Sequence, residues 1–404
     1  MPATMGIRTP GAADFPAAAE LVIVGGGIVG AATAFYATRA GLKPLVIECR
    51  PGLATLTTPR SLEAVRAQFD QADDVAMMRE SLDVFENFAD VIGLPGYDVS
   101  LRQQGYLFVT LELDGRRRLE KRVADQHGWG LRDVEFLDGL EARRRFPFLS
   151  EDVVAASFRG RDGWLATHEA THGFAAASGA PFFLETALTG FKLRSGRIQA
   201  VTTTRGRIVT DQVVVAAGPY APRVAALAGV DVPAVVVRRH RAGIREHALI
   251  PATAPMTLSF DTGAHWRPEG PGAYLGWGGA LDEPPAEPRE DVPVDWTFPA
   301  LALDAVARFT PLFARVAETL SRSALTLQAG QYTLTPDARP LIGRTSVEGL
   351  YLNAGYSGHG VMGSPGGARL LVDVILGRHA GAANPFDPTR FRGRAPGAVQ
   401  AKPY

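Results

Sequence analysis

Short apolar segments bounded by glycine or proline alternate with longer amphipathic stretches along this chain of 404 residues. The pattern is clearest near the amino terminus. Residues 21–24 predict a buried strand, 25–30 a tight turn, 31–40 a helix of small side chains and 43–48 a second strand. A strand, a turn, a helix and a second strand in this order predict a βαβ unit with parallel strands.

The rest of the chain predicts further elements of both kinds. Periodicity or composition predicts helices over residues 73–93, 114–145, 167–178, 300–320 and 365–377. Apolar runs or alternation predict strands over 104–110, 208–217 and 349–352, a hairpin over 191–204 that turns at Ser195 and Gly196, and several short strands over 232–280. The proline- and acid-rich residues 281–296 predict a surface loop.

The order of these elements predicts an α/β plus α+β fold. A Rossmann-type nucleotide-binding domain is assembled from separated segments, and an antiparallel-sheet substrate domain is inserted between them. The predicted borders are a flexible tail over 1–19, the nucleotide domain over 20–98, 158–234 and 331–382, the substrate domain over 99–157 and 235–330, and a second tail over 383–404.

Composition narrows the class of protein. Apolar residues make up 46% of the chain and charged residues 21%, which is typical of a globular protein. Lys plus Arg and Asp plus Glu are equal at 42 each, which argues against nucleic acid or an anionic membrane as the main partner. The single cysteine excludes an internal disulfide and fits a reducing, cytoplasmic setting. We also expect no secretory signal and no membrane span.

The glycine-rich turn carries the first chemical signal. Gly25, Gly27 and Gly30 form a G-x-G-x-x-G motif between a predicted strand and helix, and Glu48 ends the next strand. In this context the glycines allow backbone amides to approach a pyrophosphate at the helix N-terminus, and the carboxylate accepts a hydrogen bond from a ribose 2′-hydroxyl. The segment therefore predicts dinucleotide binding.

Two other motifs give weaker signals. Residues 358–363 repeat the G-x-G-x-x-G spacing, but no acidic strand end follows, so we expect backbone amides that face a cofactor oxygen rather than a second dinucleotide. His168, Glu169 and His172 match the zinc-protease signature H-E-x-x-H. Because no third ligand is evident, we interpret them as polar helix positions and expect no metal site.

Seven segments in order resemble the D-amino-acid-oxidase-like superfamily of FAD oxidoreductases. The similarity is greatest to the branch of sarcosine oxidases, sarcosine dehydrogenases and proline dehydrogenase β-subunits. It covers nearly all of residues 20–380. The segments are VIVGGGIVGAATAFYATRAG near the amino terminus, AVRAQF at 64–69, QGYLF at 104–108, RDGWL at 161–165, VVVAAGPYAP at 213–222, TPDARPLIG at 335–343 and GYSGHGVMGSPGGARLL at 355–371.

The resemblance implies FAD as a non-covalent cofactor and assigns residues to it. Residues 358–362 match a loop whose backbone amides face the flavin pyrimidine edge. Arg66 matches an arginine that holds the substrate carboxylate. The implied cofactor residues are Gly25, Gly27, Ile28, Val29, Gly30, Glu48, Cys49, Arg50, Leu188, Ala217, Gly218, Gly343, Gly358, His359, Gly360, Val361 and Met362.

Three positions depart from the pattern of sarcosine-type oxidases. Tyr274 aligns with their flavin-face lysine, which is important for the reaction with oxygen, and Met362 aligns with their second carboxylate-binding lysine. Residues 55–60 lack the histidine that attaches FAD in some relatives. We therefore expect slow oxidation by oxygen, a single carboxylate anchor and a flavin without a covalent bond.

The predicted reaction is oxidation of a secondary or N-alkylated amino acid, or a related amine, by hydride transfer to flavin N5, giving an imine that hydrolyses. The alternatives are oxidation of a 2-hydroxy acid or polyol, with His265 or His359 as general base, and a flavin-bearing subunit that passes electrons to a partner in a hetero-oligomer. The candidate catalytic residues are Arg66, His265, Tyr274, Tyr356 and His359, and the candidate substrate contacts are Arg66, Trp266, Tyr274 and Tyr356.

Overall fold

Two large sheets and the helices packed on them form the part of the chain that the computed structural model describes, residues 7–8, 15–281, 283–379 and 384–391. The strands are β1 (Ile7–Arg8), β2 (Leu21–Val24), β3 (Pro44–Ile47), β4 (Ala64–Val65), β5 (Tyr106–Thr110), β6 (Glu135–Asp138), β7 (Ala155–Arg159), β8 (Gly163–Trp164), β9 (Phe182–Phe183), β10 (Leu188–Arg194), β11 (Arg197–Thr203), β12 (Gly206–Val209), β13 (Val213–Val215), β14 (Val235–Ile244), β15 (Met256–Ser259), β16 (His265–Glu269), β17 (Gly272–Gly276), β18 (Leu325–Leu334), β19 (Leu341–Arg344) and β20 (Leu350–Ala354). The helices are α1 (Ile28–Arg39), α2 (Ala72–Glu86), α3 (Phe88–Ile92), α4 (Leu113–Gly128), α5 (Gly139–Arg145), α6 (Thr167–Ser178), α7 (Ala221–Ala226), α8 (Phe298–Ala307), α9 (Leu312–Thr319) and α10 (Gly360–Ile375).

The first sheet has the order β1-β9-β3-β2-β13-β20-β19, and its neighbouring strands are parallel except β19 and β20. One face packs against α1, α6 and α10, with Phe35 and Phe174 in the core between them. A three-stranded sheet of β10, β11 and β12 covers the other face together with α7. Because both faces are covered, the central strands are apolar throughout, as in Leu21–Val24.

The second sheet has the order β18-β14-β17-β16-β15-β5-β7-β6. Its neighbours are antiparallel, as predicted, except β5 and β15, which are parallel. Side chains alternate across it: Trp266 and Leu275 pack with α8 and α9, whereas Arg267 and Tyr274 face the segment around Leu62. This second face points toward the first sheet and forms one side of the site described below.

Several predicted elements are divided in the structure. Residues 208–217 belong to two strands in different sheets, β12 and β13, with the break at Asp211. The region 114–145 contains strand β6 between two helices, and 73–93 is divided at Asn87 into α2 and α3. Residues 300–320 form α8 and α9, because Pro311 cannot continue the ladder of hydrogen bonds of α8.

Helix α10 begins at Gly360, five residues before the predicted start at Pro365. A proline at this position leaves the carbonyl of Val361 without its usual helical donor. The hydroxyl of Ser364 donates to that carbonyl instead, at 2.9 Å. The N-terminus of α10 therefore lies within the second glycine motif and not beyond it.

The domain borders stay a prediction. Two of the predicted borders fall inside strands: 157/158 lies within β7, and 330/331 lies within β18. Within the predicted tails, β1 pairs with β9, and the buried Phe386 accepts a hydrogen bond from the amide of Ile342. Residues 15–19 and 384–391 of the predicted tails are also described, whereas residues 1–6, 9–14, 383 and 392–404 lie outside the described part of the chain. No helix in the described ranges is long and apolar enough to cross a lipid bilayer.

Candidate functional site

A cavity of about 400 Å³ lies at the carboxyl ends of β3, β2, β13 and β20. Each of these strands contributes its last residue or the turn that follows it to the wall, including Val24, Ile47, Ala216 and Ala354. In open sheets of parallel strands, ligands bind in the crevice at this edge. The wall is largely apolar, and its polar groups come from backbone turns, from threonine side chains and from a few charged side chains, including Glu48, Arg50, Arg223 and Glu290.

The three motif glycines serve two different purposes. Gly25 has φ +118°, and a Cβ there would lie 2.5 Å from the carbonyl oxygen of Ala216. A Cβ on Gly30 would lie 1.9 Å from the carbonyl oxygen of Gly25. A Cβ on Gly27, by contrast, would meet only the Thr58 hydroxyl, at 3.4 Å, and Gly27 lines the cavity. Gly25 and Gly30 thus permit close packing of the turn, whereas Gly27 keeps the wall open.

Helix α1 directs its N-terminus at this open wall. It begins at Ile28, and its first turn contains no acidic residue. The first amides of a helix have no intrahelical acceptor and carry partial positive charge, so they attract an anion such as a pyrophosphate. Glu48 accepts hydrogen bonds from the amides of Gly26 at 2.6 Å and Arg50 at 2.9 Å, so it also fastens the glycine turn to β3.

The other end of the cavity is formed by the turn between β20 and α10. Ser357 and Gly358 both have positive φ, +51° and +92°. A Cβ on Gly358 would lie 2.4 Å from the ring of Tyr332. Gly360 and Val361 in the first turn of α10 line the cavity, so a second helix N-terminus faces it.

Hydrogen bonds between buried side chains connect the two ends. The hydroxyl of Tyr356 donates to Asn353 at 2.6 Å, and the Asn353 amide donates to Thr33 in α1 at 3.0 Å. Tyr356 also packs so closely on α10 that a Cβ on Gly367 would lie 2.1 Å from its hydroxyl. Tyr356 therefore holds α10 and α1 in place from the cavity wall. Burial raises its pKa.

Arg66 lies behind the α10 end of the cavity and is 4% exposed. Its guanidinium carbon is 4.6 Å from the ring centroid of Phe69, 5.2 Å from Tyr106 and 5.1 Å from Phe108. Its Nη2 is 3.4 Å from Nε2 of His359. Among the described residues, neither Nε nor Nη1 has a hydrogen-bond partner. A buried cation with unused donors is costly and is expected to serve an anionic ligand.

Two histidines near this end are held neutral. Burial lowers the pKa of His359 to about 3, and the charge of Arg66 acts in the same direction. Burial also lowers the pKa of His265 to about 4; its Nδ1 is 2.8 Å from the carbonyl oxygen of Gly263. Both side chains are uncharged at neutral pH.

Acid is therefore expected to destabilise the fold through these histidines. In the unfolded chain a histidine takes up a proton near pH 6.5, whereas folded His265 stays neutral to about pH 4. The stability due to neutral His265 is fully present above pH 6.5 and falls between pH 6.5 and 4, by about 2 kcal/mol at pH 5. Urea unfolding at pH 7 and 5 measures this loss. His265→Asn, which can still donate to Gly263, should show a smaller loss; an unchanged loss would contradict the assignment.

The structure separates the other predicted substrate residues. Trp266 is fully buried on the far face of the second sheet, where its indole donates to Thr310. Tyr274 lies on the near face but outside the cavity wall, with Arg241 4.2 Å and Arg267 4.8 Å from its ring centroid. The fold therefore brings Arg66 and His359 together near the α10 end of the cavity. Trp266 instead belongs to the hydrophobic core between the second sheet and helices α8 and α9.

The predicted cofactor residues are placed as follows. Four lie outside the cavity wall: Gly30 packs on the turn, Gly343 faces Asn384, Met362 is in the core and His359 contacts Arg66. The others line it, namely Gly25, Gly27, Ile28, Val29, Glu48, Cys49, Arg50, Leu188, Ala217, Gly218, Gly358, Gly360 and Val361. Sequence reasoning missed Thr55, Thr57, Thr58, Tyr220, Arg223, Glu290, Gln331 and Tyr332, which also line it; only the threonine-rich run at 55–58 gave a local signal.

The H-E-x-x-H motif lies on α6, away from the cavity wall. Nδ1 of His172 is 2.8 Å from the backbone carbonyl oxygen of His168, one turn earlier in the helix. Across the described ranges no group of three or more His, Cys, Asp or Glu side chains is placed to hold a metal ion.

The cavity residues fit FAD in three respects. The open position at Gly27 and the N-terminus of α1 suit a pyrophosphate, and Glu48 lies where a ribose would follow. At the other end, the N-terminus of α10 suits the flavin edge that becomes negative on reduction. The apolar wall between them suits the flat ring.

Comparison with known proteins agrees with this fit. Residues 20–374 match the family described as FAD dependent oxidoreductase. The sarcosine oxidase subunit beta of Arthrobacter sp is 25% identical over 92% of this chain and 91% of its own length. The crystal structure of L-proline dehydrogenase from P. horikoshii superposes with a TM-score of 0.81, at 27% identity over 93% of this chain and 98% of that one. The chain belongs to the FAD-dependent oxidoreductase family that includes amino-acid oxidases and dehydrogenases.

Proposed function

We propose that this enzyme oxidises a secondary or N-alkylated amino acid whose carboxylate binds Arg66. The observation that carries the proposal is the buried guanidinium with two unused donors at the flavin end of the cavity. A carboxylate satisfies such donors and neutralises the charge, forming a strong charge-assisted pair. Two of the similar proteins are named for sarcosine and L-proline, which are both secondary amines with a carboxylate.

The bound flavin would supply the hydride acceptor for the substrate C–H. The chain would bind and orient the two partners. The helix N-termini of α1 and α10 would hold the pyrophosphate and the flavin edge, and Arg66 would fix the substrate by its carboxylate. The rings of Phe69, Tyr106 and Phe108 around Arg66 would exclude water, which strengthens the ion pair.

An amine fits this site better than a 2-hydroxy acid. Oxidation of an alcohol needs a general base to accept the hydroxyl proton during hydride transfer, whereas a secondary amine can lose its ammonium proton to water before it binds and then needs no base in the site. Nδ1 of His265 is directed at the Gly263 carbonyl, and Nε2 of His359 faces Arg66. With pKa values lowered to about 4 and 3, both histidines are weak bases.

Anaerobic mixing with a panel of substrates tests the proposed function. Sarcosine, proline and other N-alkylated amino acids are expected to bleach the flavin absorbance, and lactate and glycolate are expected not to. N-methylated amines without a carboxylate should bleach it slowly. Bleaching by the hydroxy acids alone would overturn the proposal.

A flavin-bearing subunit of a larger enzyme is the second candidate. It is favoured by the similarity to a protein named as a subunit, sarcosine oxidase subunit beta. Co-purification of a second chain from the source cell, with turnover restored only by that chain, would support it. A cytoplasmic location stays a prediction from the single cysteine.

The flavin is expected to be non-covalent. Among the described residues of the cavity wall there is no histidine, and Cys49 lies beside Glu48 at the end opposite α10. The purified protein should therefore be yellow, and acid or heat should release all of its FAD into the supernatant. Flavin that stays with the precipitated protein would contradict this expectation.

Oxygen is expected to be a poor electron acceptor. Electron transfer to oxygen creates a negative charge that a cation at the flavin face stabilises; Tyr274 occupies the position of that cation in sarcosine-type oxidases, and Arg66 is neutralised when a carboxylate occupies its site. The two arginines beside Tyr274 already have partners: Arg267 pairs with Glu63 and Glu269, and Arg241 donates to Ser61 and Gln328. Stopped-flow mixing of reduced enzyme with air-saturated buffer should show much slower oxidation than mixing with a dye. Rapid oxidation in air would identify an oxidase.

A further inference from the structure

The segment that carries Arg66 is held from the side by buried polar residues of other elements. Residues 66–69 belong to no helix or strand, although the side chains of Arg66 and Gln68 are buried. Backbone groups in such a segment need partners that regular structure does not provide. Side chains supply them here: Asp162 accepts from the amide of Ala67 at 3.1 Å, and Gln126 donates to the carbonyl of Phe69 at 2.9 Å.

Gln68 is the centre of this arrangement. Its Nε2 donates to Asp162 at 3.1 Å and to the carbonyl of Tyr106 at 3.0 Å, and its Oε1 accepts from Ser157 at 3.1 Å. Its own carbonyl accepts from Arg122 at 2.9 Å. Gln68 and Asp162 are both 0% exposed. The side chain therefore connects the Arg66 segment to strands β5 and β7 of the second sheet.

Asp162 is itself fixed on two sides. Its carboxylate pairs with Arg159, and its carbonyl accepts from the amide of Gly105 at 2.9 Å. A buried polar network of this kind costs desolvation energy, which hydrogen bonds repay only if every member is well placed. Both Nε2 and Oε1 of Gln68 therefore have hydrogen-bond partners. Two residues earlier in the chain, Nε and Nη1 of Arg66 have no partner among the described residues.

We propose that three positioning residues aim the guanidinium of Arg66 at the substrate carboxylate, namely Gln68, Ser157 and Asp162. We call these three residues the brace. The proposal rests on the proposed function, because it needs Arg66 as the anchor. Hydrogen bonds are directional, and a displacement of about 1 Å in a positioned group costs on the order of 100-fold in rate. The brace is thus expected to set selectivity for carboxylate substrates while touching neither substrate nor flavin.

Acetate binding to the holoenzyme, followed by the change in flavin absorbance, tests the brace without turnover. Gln68→Met keeps the length of the side chain and removes its hydrogen bonds; we expect acetate to bind about 10- to 100-fold more weakly. Ser157→Ala removes one bond and should have a smaller effect in the same direction. The matched control is Ser259→Ala in β15, which removes a buried hydroxyl that accepts from Thr262 and is expected to leave acetate binding unchanged.

A double variant separates positioning from general support of the fold. In an Arg66→Ala background, Gln68→Met should weaken acetate binding no further, because the residue through which it acts is gone. Equal weakening in both backgrounds, or equal losses of kcat/KM for carboxylate substrates and uncharged amines, would overturn the proposal. If Gln68→Met fails to retain FAD, the proposal is tested by comparing Ser157→Ala with Ser259→Ala. Weaker acetate binding in Ser157→Ala alone would support the brace, and equal acetate binding in the two variants would overturn it. If Arg66→Ala alone leaves acetate binding unchanged, the proposed function fails and the brace fails with it.

Discussion

Replacing Arg66 by alanine is expected to lower kcat/KM for a carboxylate substrate by about 30- to 1000-fold, or about 2–4 kcal/mol. The guanidinium is 4% exposed, so a substrate carboxylate would meet it with little competition from water. Steady-state kinetics with an N-alkylated amino acid and with the matching amine that lacks the carboxylate measure the effect. The uncharged amine should lose much less.

Arg322→Ala is the matched control for this variant. Its guanidinium also stacks on an aromatic ring, 4.5 Å from the centroid of Trp296, but Arg322 is exposed. It should leave both substrates unaffected. Equal losses for the charged and uncharged substrates in Arg66→Ala would show that Arg66 supports the fold rather than the carboxylate.

Replacing Arg66 by an apolar side chain should change stability and activity in opposite directions. A buried cation with unused donors destabilises the protein in the absence of substrate, and an apolar side chain of similar length does not. Arg66→Met is therefore expected to raise the free energy of unfolding of the substrate-free enzyme while it lowers activity. Urea unfolding checks the sign. A large loss of stability instead would indicate that the contacts of Arg66 with Phe69 and His359 are structural.

Replacing Gly27 by valine is expected to abolish FAD binding without unfolding the protein. A Cβ at this position meets only the Thr58 hydroxyl, at 3.4 Å, so the fold has room for a side chain. That side chain would fill the place of the pyrophosphate at the N-terminus of α1. The purified variant should be colourless, retain the circular dichroism of the wild-type apoprotein and show no fluorescence quenching when titrated with FAD.

Gly30→Ala provides the contrast within the same motif. Its Cβ would lie 1.9 Å from the carbonyl oxygen of Gly25, so this variant is expected to lose stability even as apoprotein. Thermal unfolding of the two apoproteins compares them. If Gly27→Val binds FAD normally, the cavity at the ends of the parallel strands does not hold the pyrophosphate.

Elements encoded by neighbouring residues were predictable from the sequence. The strand Leu21–Val24 and helix α6, Thr167–Ser178, have the predicted bounds, and Gly179 ends that helix with positive φ. The glycine motif and Glu48 belong to one βαβ unit, in which turn, helix and strand follow within about 30 residues, so their spacing alone specifies their geometry. The family, and with it FAD, followed from the order of such local motifs.

The partners of each site residue were decided by the tertiary structure. Arg66 and His359 are 293 residues apart in the chain and lie 3.4 Å apart in the fold. Sequence gave no reason to connect Gln68 with Asp162, and it suggested Trp266 for the substrate although this side chain packs under α8 and α9. The alternation of a strand specifies which residues share a face but not which face meets the cavity.

The sequence by itself therefore determined the nucleotide-binding unit and the family, and it singled out Arg66 as a candidate through the resemblance. The tertiary structure alone decided which residues surround that arginine and which candidate residues lie elsewhere. The physical reason is that backbone turns and helix starts depend on interactions over a few residues. A buried polar network depends on side chains that only the packing of two sheets brings together.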